Sequence, residues 1–384
     1  MREVFIVSDN IISPLGSATE DNFYQLTKNR TAIAHHTRPE FSDQPFYASL
    51  LNQEQNEKLN DHIQSTIDYT KFEKLLIASI SQAIENTEVD PGSPDTCMIL
   101  STTKGNIGLL ETEKNSPELQ QRIALHTSAK LVVEHFNNPN RPVTVSNACI
   151  SGLTALLTAK RLIQSGRFKH AIVTGADIIS KFILSGFQSF QAVSDKPCKP
   201  FDANRNGVTL GEAAGTVILS CENGRNEKRI QFVSGAVSND ANHISGPSRT
   251  GKELCIAINK SLREANCKAD DIGFISAHGT ATIYNDEMEA KAFALANLES
   301  IPVNSLKGYY GHTLGAAGLV ESIVSIHSLQ QNIVLPTAGF ERSGVTANIN
   351  ICDKIQSIRA GVLLKTASGF GGCNAALVFK KSYS

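Results

Sequence analysis

Residues 143–157 read VTVSNACISGLTALL, and this stretch decides the fold. A β-branched run ends at Ser146, a short polar turn follows, and a helix of buried type begins at Ile150. β-Branched side chains suit a pleated strand. The helix, predicted over 150–165, carries Ile150, Leu153, Leu156, Leu157, Leu162 and Ile163 on more than one face. A helix with so little polar surface belongs in the middle of a layered molecule. Gly166 stands where a helix C-terminal cap is expected. Strand, tight turn and buried helix form an α/β unit, and Cys149 occupies the turn.

Outward from this unit, short apolar runs alternate with amphipathic stretches, which predicts an α/β class throughout. Strands are expected over 3–7, 98–101, 143–146, 171–174, 216–220, 231–236, 273–277, 358–364 and 375–379. Helices are expected over 20–28, 71–86, 117–134, 150–165, 252–265, 286–296 and 313–331. The last opens with Gly315, Ala316, Ala317 and Gly318, small residues that let two elements approach closely. The run ENGRNEKR at 222–229 is the joint expected between two halves, 1–226 and 227–384. The segment 186–210, rich in Pro, Gly, Asp and Asn, reads as a long surface loop.

The chain has 384 residues, a formal net charge of -1 and 19% charged residues, which gives no sign of wholesale binding to nucleic acid or to an anionic membrane. Its apolar N-terminal run is too short for a signal-peptide core, and no stretch of about 18 apolar residues exists to span a membrane. A cytosolic location is expected. None of the eight cysteines forms a CxxC pair, so neither a disulfide framework nor a paired-spacing zinc site is expected.

Most of those cysteines fit the role of small buried hydrophobes, and Cys149 alone could be another. Its position differs in kind. A helix N-terminus lowers a thiol's pKa and offers backbone N–H groups to an oxyanion, the arrangement of a nucleophile elbow. Two histidine segments join it. In FISAHGTATIYNDEMEA, His278 ends a strand beside Gly279 and Thr280; in VNSLKGYYGHTLGAAGLVE, His312 follows Gly311 and precedes a buried helix. Each histidine alone fits a structural role, but a cysteine elbow with two Gly-flanked histidines matches nucleophilic acyl chemistry. Near the C-terminus, ASGFGGCNAAL places Gly369, Gly371 and Gly372 around Phe370, which fits either a tight turn or a backbone donor with an aromatic gate.

These segments, SNACISG, HGTAT followed by Asp286, LKGYYGHTLGAAG and GFGGCN, resemble in order the signature segments of the elongating β-ketoacyl-acyl carrier protein synthases. KPFDANRNGVTLGEAAG and the opening IISPLGSATEDNFYQL resemble further parts of the family. The resemblance implies the thiolase-like fold, two related halves in five layers (α-β-α-β-α), usually paired as a dimer. It implies that Cys149 carries the acyl chain while His278 and His312 hold the malonyl thioester carbonyl during decarboxylation. Lys307 would be the active-site lysine, Glu321 the carboxylate that organises it, and Asp286 a supporting acid. The N–H groups of Cys149 and Phe370 would form the oxyanion hole, with Phe370 as the gate. No cofactor or metal is implied. The partner would be an acyl carrier protein, met by a basic rim for which Lys71, Lys74, Lys199 and Arg205 are candidates, within a homodimer or a heterodimer with a related subunit.

The chain departs from the family's pattern in places. Ile150 stands where a small residue is common, and Thr366, Ala367 and Ser368 replace the start of the usual Asn-Ser-Phe-Gly-Phe gate loop. Lys104, in STTKGN, falls near where relatives line the far end of the acyl pocket; it would shorten or polarise the pocket if it points inward. These departures leave room for aryl polyene, pigment or other polyketide-like chain assembly. A degradative thiolase would need a second C-terminal cysteine as base, and Cys373 lies in a different pattern. The starter-condensing branch has Asn where this chain has His312. A non-elongating chain-length subunit would be expected to lack the nucleophile.

Overall fold

The structure, a computed structural model, describes residues 2–63, 65–222 and 229–382. Ten strands form its main sheet: β1 (Phe5–Ile12), β2 (Thr96–Ser101), β3 (Val143–Val145), β4 (His170–Asp177), β5 (Ala213–Ser220), β6 (Arg229–Asn239), β7 (Ile272–Ser276), β8 (Val303–Asn304), β9 (Val362–Gly369) and β10 (Cys373–Ser382). Their order is β8-β7-β9-β10-β6-β1-β5-β4-β2-β3. The two flanks repeat one pattern. In β3-β2-β4-β5-β1 the first three strands are parallel and the next two pairings antiparallel, and β8-β7-β9-β10-β6 does the same. Within the sheet, the two flanks pair where Phe5 and Ile6 of β1 face Gln231 and Ile230 of β6. The expected boundary between 226 and 227 lies outside the described residues.

Strand alternation sorts side chains into three cores. On the first flank, Leu100, Ile172 and Ile218 pack outward against Leu75, Leu76 and Ile80 of α1 (Lys71–Glu85). Ile99, Val173 and Val217 pack inward, against α2 (Ser151–Gln164) and α7 (Ala317–Gln330), and Leu363, Ala375 and Leu377 of the second flank close on the same helices. Leu364, Ala376 and Val378 point the other way, against α4 (Lys252–Glu264) and α5 (Ile283–Leu295). The result is the five-layered α-β-α-β-α arrangement.

The central helices touch because they lack side chains at the crossing. A Cβ on Gly152 would lie 2.7 Å from the backbone nitrogen of Leu319, and one on Gly318 would lie 2.8 Å from that of Leu153. The small residues of 315–318 therefore serve close approach, as the sequence predicts. Gly166 takes φ +80° beyond α2 and donates its N–H to Ile163, the expected cap.

Three expectations change. The strand expected over 358–364 begins only at Val362 and runs to Gly369. The helix predicted over 117–134 breaks at Ala124, which is extended at ψ 128°; the Thr127 hydroxyl donates to the Gln121 carbonyl at the break. The segment 186–210 is a surface loop only in part. It begins inside α3 (Lys181–Ser189) and is exposed at 188–191 and 195–197, but Cys198, Phe201, Asp202, Thr209 and Leu210 are buried. Backbone groups of the buried part find partners: Phe201 N–H with Asp286, Gly207 N–H with Ala281, and the Thr209 carbonyl with the His312 N–H.

Candidate active site

The turn between β3 and α2 is strained and specifically held. Ala148 takes φ +43°, a left-handed conformation rare outside glycine. Ser151 secures it, accepting from the Asn147 N–H at 2.8 Å and donating to the Ala148 carbonyl at 2.6 Å. The turn presents Cys149, 7% exposed, at the floor of a cavity also lined by Phe187, Ile244, His278, His312 and Phe370. The Cys149 sulfur and a ring nitrogen from each histidine all lie within 4.8 Å of one another. Segments 129 and 163 residues away in sequence thus converge on one sulfur.

His278 follows the end of β7. Its N–H and that of Gly279 donate to the two oxygens of Glu289 on α5, at 2.8 and 2.7 Å. One turn earlier on α5, Asp286 accepts from Thr280 N–H at 2.9 Å and from Phe201 N–H at 2.7 Å. Burial pushes Asp286 up to about 7, with Glu289 adding in the same direction against its hydrogen bonds and Arg205. Asp286 thus ties the His278 turn to the buried part of the 186–210 segment. The sequence reading missed Glu289; its i+3 spacing from Asp286 places both on one helix face.

His312 sits in the turn between α6 (Lys307–Tyr310) and α7. Its N–H donates to Thr209 and its carbonyl accepts from Gly211. Three residues on, Gly315 N–H donates at 2.7 Å to Asp177, which ends β4 and also accepts from Thr102 and Thr103. Asp177 therefore binds the His312 turn to the other flank.

The hydrogen bonds assign the tautomers. Nδ1 of His312 accepts from the Leu314 N–H at 3.3 Å, and its buried Nε2 has no partner among the described residues. Nδ1 of His278 lies 3.1 Å from Nζ of Lys307, an obligate donor. Each ring, accepting at Nδ1, carries its proton on Nε2. The rings stand edge to face, with centroids 5.2 Å apart. Burial holds both well below the ordinary histidine value, and Lys307 pushes each further down.

Lys307 is wholly buried and donates to the His278 carbonyl at 2.6 Å and to Oε1 of Glu321 at 2.5 Å. The other oxygen of Glu321 takes a second buried ammonium, Lys365, at 2.7 Å. The sequence reading also missed Lys365, since a lysine in a strand ordinarily faces water.

Phe370 lies at the turn from β9 to β10, 37% exposed, stacked on Phe187 at 5.7 Å and beside Phe190 at 5.5 Å. Its backbone N–H favours the thiolate form of Cys149. Gly371 and Gly372 take φ +83° and +75°, and link this turn to Ile244 and Asp240. One expectation is reversed at the sulfur. Burial pushes the Cys149 thiol up to about 11, although Lys307, Lys104 and the Phe370 N–H pull it down. A helix N-terminus favours thiolate, but removal from water costs more here.

The remaining candidates lie farther out. Lys104 is half-buried and does not line the cavity, although its charge is felt at the sulfur. Ile150 is wholly buried in the central core. Lys71 pairs with Glu212 and Lys199 with Glu341, each at 2.7 Å, and Lys74 is half-buried. Arg205 is not presented to a partner: it is 9% exposed, and its guanidinium donates to the carbonyls of Asp202, Gly344 and Ile283. Cys373 does not line the cavity; its thiol donates to the Phe370 carbonyl, and burial pushes it up to about 12.

Residues 1–223 match the family model for the β-ketoacyl synthase N-terminal domain, and residues 231–341 match the C-terminal domain. The chain belongs to the β-ketoacyl synthase family. This synthase is 28% identical to 3-oxoacyl-[acyl-carrier-protein] synthase 2 of Vibrio cholerae and 28% identical to the protein of that name from Rhizobium meliloti, with 99% of each chain covered. The fold is that of the ishigamide ketosynthase/chain length factor structure, with a TM-score of 0.90, 23% identity and 99% of both chains covered. Among the described residues, no helix is long and apolar enough to cross a membrane.

Proposed function

We propose that this synthase elongates acyl chains by decarboxylative Claisen condensation, taking both substrates as thioesters on the phosphopantetheine of an acyl carrier protein. The observation that carries this reading is the convergence of one sulfur and a ring nitrogen from each of two histidines within 4.8 Å. Cys149 attacks the acyl thioester, and the tetrahedral oxyanion is held by the N–H groups of Cys149 and Phe370. The departing pantetheine thiolate takes a proton and leaves an acyl-Cys149. The malonyl thioester oxygen then accepts from Nε2–H of His278 and His312. Carbon dioxide departs, the enolate carbon attacks the acyl carbonyl, and Cys149 is released as the carbon–carbon bond forms. Two preorganised donors in a water-poor site stabilise the enolate, so this sequence of steps needs no metal or cofactor.

Phe370, stacked on Phe187, serves as the gate to this cavity. Lys307 orders the site through His278 and is itself oriented by Glu321, while Asp286 supports the His278 turn. The two halves, 1–226 and 227–384, contribute the nucleophile and the histidines respectively. A specialised polyene- or polyketide-type substrate is favoured by Ser368, which lines the cavity where the family usually has Phe. Lys104 and Ile150 remain candidates for shaping the acyl end. Lys71, Lys74 and Lys199 are the more exposed candidates for carrier docking, and a dimer with itself or a related subunit in the cytosol completes the reading. The test is incubation of the purified chain with acyl- and malonyl-acyl carrier protein. Release of carbon dioxide with a β-ketoacyl product extended by two carbons supports the reading. Coenzyme A-dependent cleavage of β-ketoacyl groups without decarboxylating synthesis overturns it.

A further inference from the structure

Lys365 lies within β9, in register with Ser276 of β7 and Leu377 of β10, and no part of it reaches solvent. Its ammonium lies 3.2 and 3.3 Å from the carbonyls of Ser276 and Ala277, 3.0 Å from that of Thr366 and 2.7 Å from Oε2 of Glu321. A buried ammonium keeps its proton only with partners of this quality. The two carbonyls from β7 and its end immediately precede His278, and the next carbonyl, that of His278, is held by Lys307. Two lysines therefore grip three successive carbonyls and share one carboxylate, Glu321.

We propose that Lys365 is a second positioning residue for the condensation, fixing the strand end that carries His278 and placing, with Lys307, a second positive charge near that imidazole. The proposal rests on the condensing reading above. The charged and titratable groups around His278 are Lys307 on α6, His312 before α7, Glu321 on α7, Lys365 on β9, Asp286 and Glu289 on α5, and Cys149 before α2. Glu289 accepts from the N–H groups of His278 and Gly279 and from Asn285, and its carboxyl also faces both ammonium groups. Glu321 bridges the two ammonium groups directly. Burial is the first cause of the depressed His278 value, followed by Lys307, His312 and Lys365. A neutral ring leaves Nδ1 free to accept from Lys307 and keeps Nε2–H aimed into the cavity. The Nε2–H so aimed can stabilise negative charge developing on a thioester oxygen.

The test compares the full chain with Lys365→Met, which removes charge and donors, and Lys365→Gln, which removes charge but keeps a donor. Both variants are expected to lower kcat for condensation about tenfold with little change in the malonyl substrate's KM. Both should move the acid limb of the pH–rate profile upward, because loss of a nearby positive charge makes the imidazole easier to protonate. In substrate-free protein, the His278 NMR titration, assigned by its loss in His278→Asn, should shift upward likewise. A limb and a titration that stay in place while only thermal stability falls would overturn the proposal and leave Lys365 a structural residue. A wild-type His278 titrating at the ordinary value would overturn it without any variant. If wild type fails to condense, the functional reading falls, while the NMR titration still decides the role of Lys365.

Discussion

The two flanks share a strand order and each sends one buried helix to the centre, yet they bring opposite surroundings to the reaction. On the first, the turn before α2 holds Cys149 by one serine and a strained alanine, and burial dominates, raising the thiol to about 11. On the second, the elements around α7 carry Lys307, Glu321 and Lys365, a buried charge network tied to both imidazoles. A repeated topology thus supplies a sulfur without a dedicated ion pair on one side and oriented proton donors on the other. What differs is not the backbone plan but which buried charges each flank can satisfy.

The comparison breaks most severely at the sulfur. Cys149→Ala should abolish acyl-enzyme formation and lower condensation at least a thousandfold, measured by product formation from acyl- and malonyl-acyl carrier protein. Removing one donor from the opposite flank, in His312→Ala, should cost about 10²–10³ in kcat, the usual loss for an oxyanion-type donor. Lys307→Met tests the network itself. Breaking a buried pair costs about 3–5 kcal/mol, and Lys365 still holds Glu321, so denaturant unfolding should give the lower end of that range.

The flanks should also titrate in opposite senses. Both histidines are held below the ordinary value near 6.5. Activity should therefore persist below pH 6.5 and fall only as protonation at Nδ1 breaks the contacts with Lys307 and the Leu314 N–H. Cys149 is raised instead, so its alkylation by iodoacetamide should keep accelerating through pH 9, the ordinary thiol value, without levelling there. The smallest effect belongs to the surface. Lys199 pairs with Glu341, an exposed contact of the kind worth about 0–1 kcal/mol. Lys199→Glu should leave stability nearly unchanged, and the KM for the carrier substrate should rise a few-fold at low salt with the difference shrinking as salt is added.

Much of this arrangement was legible in the chain. The strand-to-helix turn at Cys149, the Gly-flanked histidines and the small residues at 315–318 carry strong local constraints, because strained turns and helix crossings tolerate few residue types. The long-range ion network was legible only in part. The resemblance supplied Lys307, Glu321 and Asp286, but Lys365 and Glu289 depend on partners distant in sequence, and a charged residue in a strand or helix ordinarily signals solvent. The same blindness made the buried part of 186–210 look exposed, since composition reports missing periodicity and not where a segment lies. The lowered thiol pKa expected from a helix N-terminus failed because that reading could not weigh desolvation.

The most direct test of the central claim is mass spectrometry of the peptide bearing Cys149 after exposure to a panel of acyl-carrier thioesters, followed by a malonyl-acyl carrier protein chase. An acyl mass on Cys149 that disappears during the chase, as carbon dioxide and extended β-ketoacyl product form, is the predicted result. Acylation confined to another residue, or a Cys149 adduct that the malonyl chase leaves untouched, would contradict it.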